Sequence, residues 1–474
     1  MSRASVARVT TSPGRDTSVN TKPQPDRRYH IWTIGCQMNT ADSQRLGSSL
    51  ESLGYTWADE PLAADVIVLN TCVVRQQAED KVLGRLGALG SWRKERPQAV
   101  LALMGCLVGH RPDRRLAERF PGVDVFLPPS EPGPLLDLLR ARSLDGEARA
   151  LADAERSRRW LAQDSGGELT LPSHERGRVI GAFVPIVYGC NWVCTFCIIP
   201  SRRGAERSRP QAEIVRHVQS LVQQGVREVT LLGQIVDRYG HDRQEPDALA
   251  RLLRRLDGIE GLERIRFLTS HPSFLTEDLI QTVAELPKVM EQIEVPVQAG
   301  DDEVLARMKR GYRVDDYRRL VERIRSRLPH AAIHTDVIVG FPGETDRQFR
   351  ATYDLMAELR FAKAHIARFS SRPGTVAALR MLDDVPEEEK ERRRAALDQL
   401  QQDVCAAANA ALVGQTVEVL VEGRHRDRWR SRTRTNKLVF FDDPRPLLGR
   451  VVDVRVSWAG PWSLIGRAAD VDGP

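Results

Sequence analysis

The chain has no long apolar run. Nothing among its 474 residues approaches the roughly 20 consecutive apolar side chains that a membrane-crossing helix needs, so no membrane partner is expected. Its first residues are rich in Ser, Thr, Arg and Pro and hold no apolar segment of a secretory signal, so none is expected; residues 1–28 read as a disordered tail. Cysteine is scarce. Seven in the whole chain exclude a disulfide-built secreted scaffold, and reduced thiols in the cytoplasm are the expectation. Neither charge sign is in strong excess, with 70 Lys and Arg against 64 Asp and Glu, so basic surface matters only where it is concentrated. A chain of this length needs two or three domains. No glycine-rich P-loop or dinucleotide fingerprint follows the first strand, which argues against phosphate binding there.

What is present is a pattern of cysteines. Six fall into two groups of three, and Cys405 is left over in a helical stretch. Cys190, Cys194 and Cys197 form a CxxxCxxC. Three thiolates at this spacing can hold three irons of a cubane cluster and leave the fourth open for chemistry. A structural zinc site wants four closed ligands, and no nearby Cys or His completes such a set. The second group is dispersed. Strands expected at residues 30–34, 66–69, 99–104 and 123–127, with helices at 40–53 and 75–92, predict a small doubly wound parallel sheet. Cys36, Cys72 and Cys106 follow the first three strands, at the edge where open α/β sheets bind ligands. Cysteines acting as small buried hydrophobes are the alternative, but three matching positions favour a second three-thiolate site.

A longer α/β series begins at residues 179–187. Further strands are expected at 228–232, 265–269, 292–297, 332–339 and 365–369, with helices at 208–224, 246–256, 275–286, 302–309 and 347–359. Six strands predict an open, partial (β/α)6 barrel whose functional side is the C-terminal strand edge. Gln234, Ser270, Gln298 and Gly340 stand there as candidate cofactor contacts, and Phe196, in the cysteine loop, is a candidate cover for an adenine ring. Arg202, Arg203, Arg207 and Arg209 read as a patch for phosphate. Residues 386–412 suit a long helix, and strands at 417–421, 437–441, 450–458 and 464–468 predict a small β-barrel. Between Arg424 and Arg434 every even-numbered residue is Arg, and an extended backbone would set all six guanidiniums on one face, toward RNA phosphate. The expected domains span 29–145, 176–411 and 412–470, with a linker at 146–175 around residues 164–167.

Specific motifs run through all three regions. They are Gly35-Cys36-Gln37-Met38-Asn39, Asn70-Thr71-Cys72-Val73-Val74-Arg75, Gly105-Cys106 and the run from Tyr188 through Arg203 to Arg209-Pro210. Pro296-Val297-Gln298, Gly340-Phe341-Pro342-Gly343-Glu344-Thr345 and Ser371-Arg372-Pro373-Gly374-Thr375 continue the series. Together they resemble the radical S-adenosylmethionine methylthiotransferases of the MiaB type, from residue 29 to about 469, and the C-terminal module is similar to a TRAM domain.

The resemblance implies two [4Fe–4S] clusters, on Cys190/Cys194/Cys197 and Cys36/Cys72/Cys106, together with S-adenosylmethionine. It implies conversion of N6-isopentenyladenosine at position 37 of a tRNA anticodon stem-loop to its 2-methylthio form. Reductive cleavage of S-adenosylmethionine would give a 5′-deoxyadenosyl radical that takes hydrogen from C2. The N-terminal cluster would carry sulfur, and a second S-adenosylmethionine the methyl group. A reducing electron-transfer protein and a sulfur source are implied partners, no acid–base side chain is required, and a monomer is the working expectation. Relatives act on threonylcarbamoyl-adenosine or on a ribosomal-protein aspartate, but the motifs around Cys36 and Cys72 resemble the isopentenyladenosine branch more. Ile235 and Asp237 depart from the Asn-rich form usual in that branch. A nonenzymatic iron–sulfur RNA-binding protein is the alternative of another class; two incomplete ligand sets argue against it.

Overall fold

The computed structural model describes residues 27–73, 76–111, 114–143 and 170–469. Most of the expected tail and the linker stretch 164–167 lie outside the described residues. The first domain is a parallel sheet of β1 (Arg28–Ile34), β2 (Thr56–Trp57), β3 (Val66–Thr71), β4 (Val100–Gly105) and β5 (Val125–Leu127), in the order β2-β1-β3-β4-β5. β3 and β4 are buried along their whole length, which is why they read as continuous apolar runs rather than alternating ones. Helices cover both faces, with Leu46, Leu50, Leu135 and Leu139 packed on one side and Val82, Leu89 and Trp92 on the other. The single helix expected at 75–92 is two, Gln76–Ala88 and Gly90–Glu95, and the two-residue β2 is too short to leave a periodic signal.

The central domain contributes six parallel strands: β6 (Gly181–Pro185), β9 (Glu228–Leu232), β10 (Arg264–Phe267), β11 (Gln292–Glu294), β12 (Ala332–Val339) and β13 (Lys363–Arg368). Between the first two, β7 (Val187–Tyr188) and β8 (Arg207–Ser208) pair antiparallel and frame the cysteine loop. The strands form two three-stranded sheets, β6-β9-β10 and β11-β12-β13. Ile265 joins them, its N–H donating to Lys288 O and its carbonyl accepting from Met290 N. The result is the open six-stranded barrel. Helix Val314–Arg327 had no counterpart in the sequence expectation. Lys309 and Gly311, both at positive φ, separate it from helix Asp302–Met308, and it buries Val314, Tyr317, Leu320, Val321 and Ile324.

The C-terminal module is a closed barrel of β14 (Thr416–His425), β15 (Arg428–Thr433), β16 (Leu438–Asp442), β17 (Val451–Ala459) and β18 (Leu464–Ala468). It corrects the expected row of six arginines. Arg426, at φ +53°, and Asp427 reverse the chain, so the row is folded into a hairpin. Arg424 lies on β14, with its guanidinium 4.3 Å from the Trp429 ring. Only Arg428, Arg430 and Arg432 share the outward face of β15, while Trp429, Ser431 and Thr433 point into the barrel. The hairpin separates like charges and gives them partners: Glu422 lies 3.6 Å from Arg430 and 3.3 Å from Arg432, and Asp442 lies 3.4 Å from Arg428. Arg434 leaves the barrel to bind Glu291 at 2.8 Å.

Two buried arginines of β10 dock this barrel at the N-terminal ends of the central strands. Arg266 donates to the carbonyls of Thr433 (2.9 Å) and Arg434 (2.8 Å) and to Glu228 (3.0 Å). Arg264 donates to Arg432 O and Glu418, both at 2.7 Å. Among the described residues no helix is long and apolar enough to cross a membrane.

Candidate active site

Cys36, Cys72 and Cys106 stand just past β1, β3 and β4. The topology therefore delivers them to one sheet edge, beside the β1–β3 boundary where the winding reverses and such sheets bind ligands. The backbone ladder continues through them: Cys72 N donates to Ile34 O (3.0 Å) and Cys106 N to Thr71 O (2.9 Å). Asn39 ties the first two of these turns together, accepting from Cys36 N (3.2 Å) and donating to Asn70 Oδ1 (2.8 Å) and Thr71 O (3.2 Å). Gly105, at φ +102°, leaves no room for a side chain, since a Cβ there would lie 2.4 Å from Thr71 O. The Cys36 and Cys106 thiols both hydrogen-bond with Cys72. That contact, aided by the charge of Arg203, holds both the Cys36 and the Cys106 thiol below the ordinary thiol range.

Arg203 corrects the reading of the arginines after the cysteine loop. Its side chain is buried, its Nε donates to Cys106 Sγ at 3.2 Å, and its guanidinium stands 3.6 Å from the buried Asp42 carboxylate. Asp42 also accepts from Ser130 Oγ at 2.6 Å. Arg209 is likewise turned inward, donating to Pro185 O at 2.7 Å. Arg207 is exposed beside the Tyr188 ring, so it keeps the outward placement expected of the patch.

The second triad sits in the loop after β7. Cys190 N donates to Gly204 O (3.1 Å), Cys197 N to Cys194 O (3.1 Å) and Trp192 N to Cys190 Sγ (3.4 Å). Thr195 anchors the loop to the barrel through Met308 O (3.1 Å) and Arg307 O (2.9 Å). Buried Arg310 donates to Cys194 Sγ at 3.2 Å. Burial pushes the Cys190 thiol up and takes Cys197 to about 12. Thiols held this way release their protons when a metal binds.

Above this loop the strand ends hold unpaired polar atoms. Ser270 Oγ, His271 Nε2 and Gln298 Oε1 are buried and find no hydrogen-bond partner among the described residues. Each such atom costs about 1–3 kcal/mol, which a bound ligand would relieve. Gln298, at φ +73°, is fixed by its N–H to Asp336 O (2.9 Å), and Ser270 by its N–H to Glu294 O (2.9 Å). Gln234 and Phe196 are half-buried, and Phe196 packs on the barrel core. Gly340 differs, because its N–H is committed to Glu344 at 2.6 Å.

The sequence reading did not find the contacts that several site residues make. Asn39 and Arg310 carry no spacing signal, and Arg203 was hidden in a run of arginines that reads as surface. Asp237 accepts the His271 N–H with both oxygens (3.0 and 3.1 Å), and loss of water around its carboxyl raises it to about 8. The His271 ring is packed among Trp192, Phe274 and Tyr312, and burial depresses it to about 3.

Among the described residues no three Cys, His, Asp or Glu side chains converge closely enough to hold a single metal ion. A cubane cluster makes a different demand. Each thiolate binds its own iron, so the thiols of a triad need not meet round one point. Two sets of three cysteines, one beside an obligatory glycine and one beneath orphaned polar atoms, fit that requirement.

The Radical SAM superfamily matches residues 184–356, Uncharacterized protein family UPF0004 matches 28–128, and the TRAM domain matches 410–469. The chain is 47% identical over 450 residues to the tRNA-2-methylthio-N(6)-dimethylallyladenosine synthase of Roseiflexus sp. (strain RS-1), covering 94% of this chain and 90% of the relative. The synthase of the same description from Chloroflexus aurantiacus is 46% identical over 457 residues, covering 94% of each. The chain belongs to the tRNA-2-methylthio-N(6)-dimethylallyladenosine synthase family. Family membership makes it a radical S-adenosylmethionine methylthiotransferase that uses iron–sulfur chemistry. Among solved structures, the radical S-adenosylmethionine methyltransferase TsrM from Kitasatospora setae aligns with a TM-score of 0.54 at 17% identity, over 74% of this chain and 77% of its own. That likeness is one of fold.

Proposed function

We propose that this enzyme methylthiolates N6-isopentenyladenosine at position 37 of the tRNA anticodon stem-loop, with one [4Fe–4S] cluster on Cys36, Cys72 and Cys106 and another on Cys190, Cys194 and Cys197. One observation supports this reading most. The short segment from Cys197 to Gly204 touches both triads, since Gly204 O accepts from Cys190 N while Arg203 donates to Cys106 Sγ. When bound, the clusters supply one-electron reduction of S-adenosylmethionine and a sulfur atom. The protein's own residues do the holding. Ser270, Gln298 and Gln234 bind and orient S-adenosylmethionine at the strand ends, Phe196 covers its adenine, and the Gly340–Glu344 loop shapes the same wall.

Arg428, Arg430 and Arg432, the outward row of β15, meet tRNA phosphate. The functional units are residues 29–145, 176–411 and 412–470. A reducing electron-transfer protein and a separate sulfur source complete the system, with a monomer in the cytoplasm as the working unit. Mass spectrometry of tRNA nucleosides from cells with and without the gene tests the substrate. Loss of 2-methylthio-N6-isopentenyladenosine, restored with the gene, is expected. Loss of the methylthio form of threonylcarbamoyl-adenosine instead would overturn the assignment.

A further inference from the structure

Arg203 comes from the segment that follows one cysteine triad, and its side chain ends on the other. Six residues after Cys197, it donates Nε–H to Cys106 Sγ at 3.2 Å. The segment is held on either side of Arg203, by Cys190 N on Gly204 O (3.1 Å) and by the His110 ring on Ser201 O (3.0 Å). A buried cation costs several kcal/mol unless opposite charge surrounds it. Asp42, 3.6 Å away, is itself buried, and desolvation raises its carboxyl against the pull of Arg203, so it balances only part of that charge and the cysteine sulfur receives the rest. Three thiolates on an oxidised [4Fe–4S] core carry a net charge of about −1, and one added electron makes it about −2. A fixed cation at a ligand sulfur favours the more negative state.

We infer that Arg203 is a positioning residue that fixes Cys106 against the second triad and raises the reduction potential of the N-terminal cluster, with Asp42 tempering the effect. The inference rests on the reading that Cys36, Cys72 and Cys106 hold a cluster. A full-length chain with Cys190, Cys194 and Cys197 all replaced by Ala isolates that cluster. Iron is counted after anaerobic reconstitution, and the potential is measured by titration followed by electron paramagnetic resonance.

Arg203→Met is expected to move the potential negative and Asp42→Asn to move it positive, with the double variant between them. Arg203→Lys should stay nearer the parent than Arg203→Met. Mere loosening of the fold would shift both single variants the same way. Shifts of equal sign, or no shift with iron intact, overturn the inference. A parent that binds no iron overturns the two-cluster reading as well. If Arg203→Met does not fold, Asp42→Asn decides alone, because it keeps the cation, and absence of a positive shift sinks the proposal.

Discussion

Asp237 accepts the His271 backbone N–H beside the strand ends, and its surroundings make an acid behave much like an amide. Desolvation raises its carboxyl from 3.8 to about 8, against the pull of Arg238, Arg310 and the His271 N–H. Near neutral pH the side chain therefore keeps its proton. Between about 4 and 8 the folded chain holds a proton that the unfolded chain has released, so this group's contribution to stability falls as pH rises through that window. His271, depressed to about 3, acts in the opposite sense below its ordinary value of 6.5, but it is common to both proteins in a comparison. Asp237→Asn is nearly isosteric and neutral at every pH. Its melting temperature is expected to gain on the parent steadily from pH 5 to pH 8.5. Parallel melting curves across that range would refute the assignment.

Helix Glu387–Ala410 shapes the strand-end wall. Glu344 accepts from Gly340 N (2.6 Å) and from Arg393 (2.8 Å), and both charged side chains are buried. Gly340, at φ +68°, is the close approach, for a Cβ there would lie 2.3 Å from Lys390 Cγ. Gly340→Ala combines a disfavoured backbone with a clash, a strain of about 1–3 kcal/mol before relaxation. Moving the loop relieves that strain and displaces it from the proposed cofactor wall, so S-adenosylmethionine binding should weaken by about tenfold for ~1.4 kcal/mol of lost contact. Calorimetric titration checks this, and unchanged affinity would show that the loop does not face the cofactor.

Elements of this kind were only partly legible in the sequence. Strands such as β3, β4 and β9 were readable because burial on both faces leaves apolar runs. Cys72 and Cys106 were readable because each follows such a run, and Cys36 because it follows the shorter apolar signal of the first strand. Helix Val314–Arg327 was missed because charged residues crowd its five buried apolar positions. The turn at Arg426 and Asp427 was missed because no Asn-Gly or Gly marks a left-handed residue there. Contacts such as Arg310 to Cys194, 116 residues apart, or Arg203 to Cys106 across domains, leave no local trace.

The three lobes meet through buried arginines, with Arg203 joining the first to the second and Arg264 and Arg266 joining the second to the third. Arg266→Ala would leave Glu228 without its ion-pair partner and two carbonyls without donors. A loss of about 3–5 kcal/mol is expected, as for other broken buried pairs. Equilibrium denaturation checks the magnitude, and a change under about 1 kcal/mol would mean the small barrel is held elsewhere. The proposed function puts one cluster on each cysteine triad, and the segment from Cys197 to Gly204 links the two. Mössbauer spectroscopy with iron quantitation, on the anaerobically reconstituted chain and on the two triple Cys→Ala variants, tests it most directly. Two [4Fe–4S] clusters in the parent and one in each variant are expected, and one cluster per parent chain after full reconstitution would contradict the account.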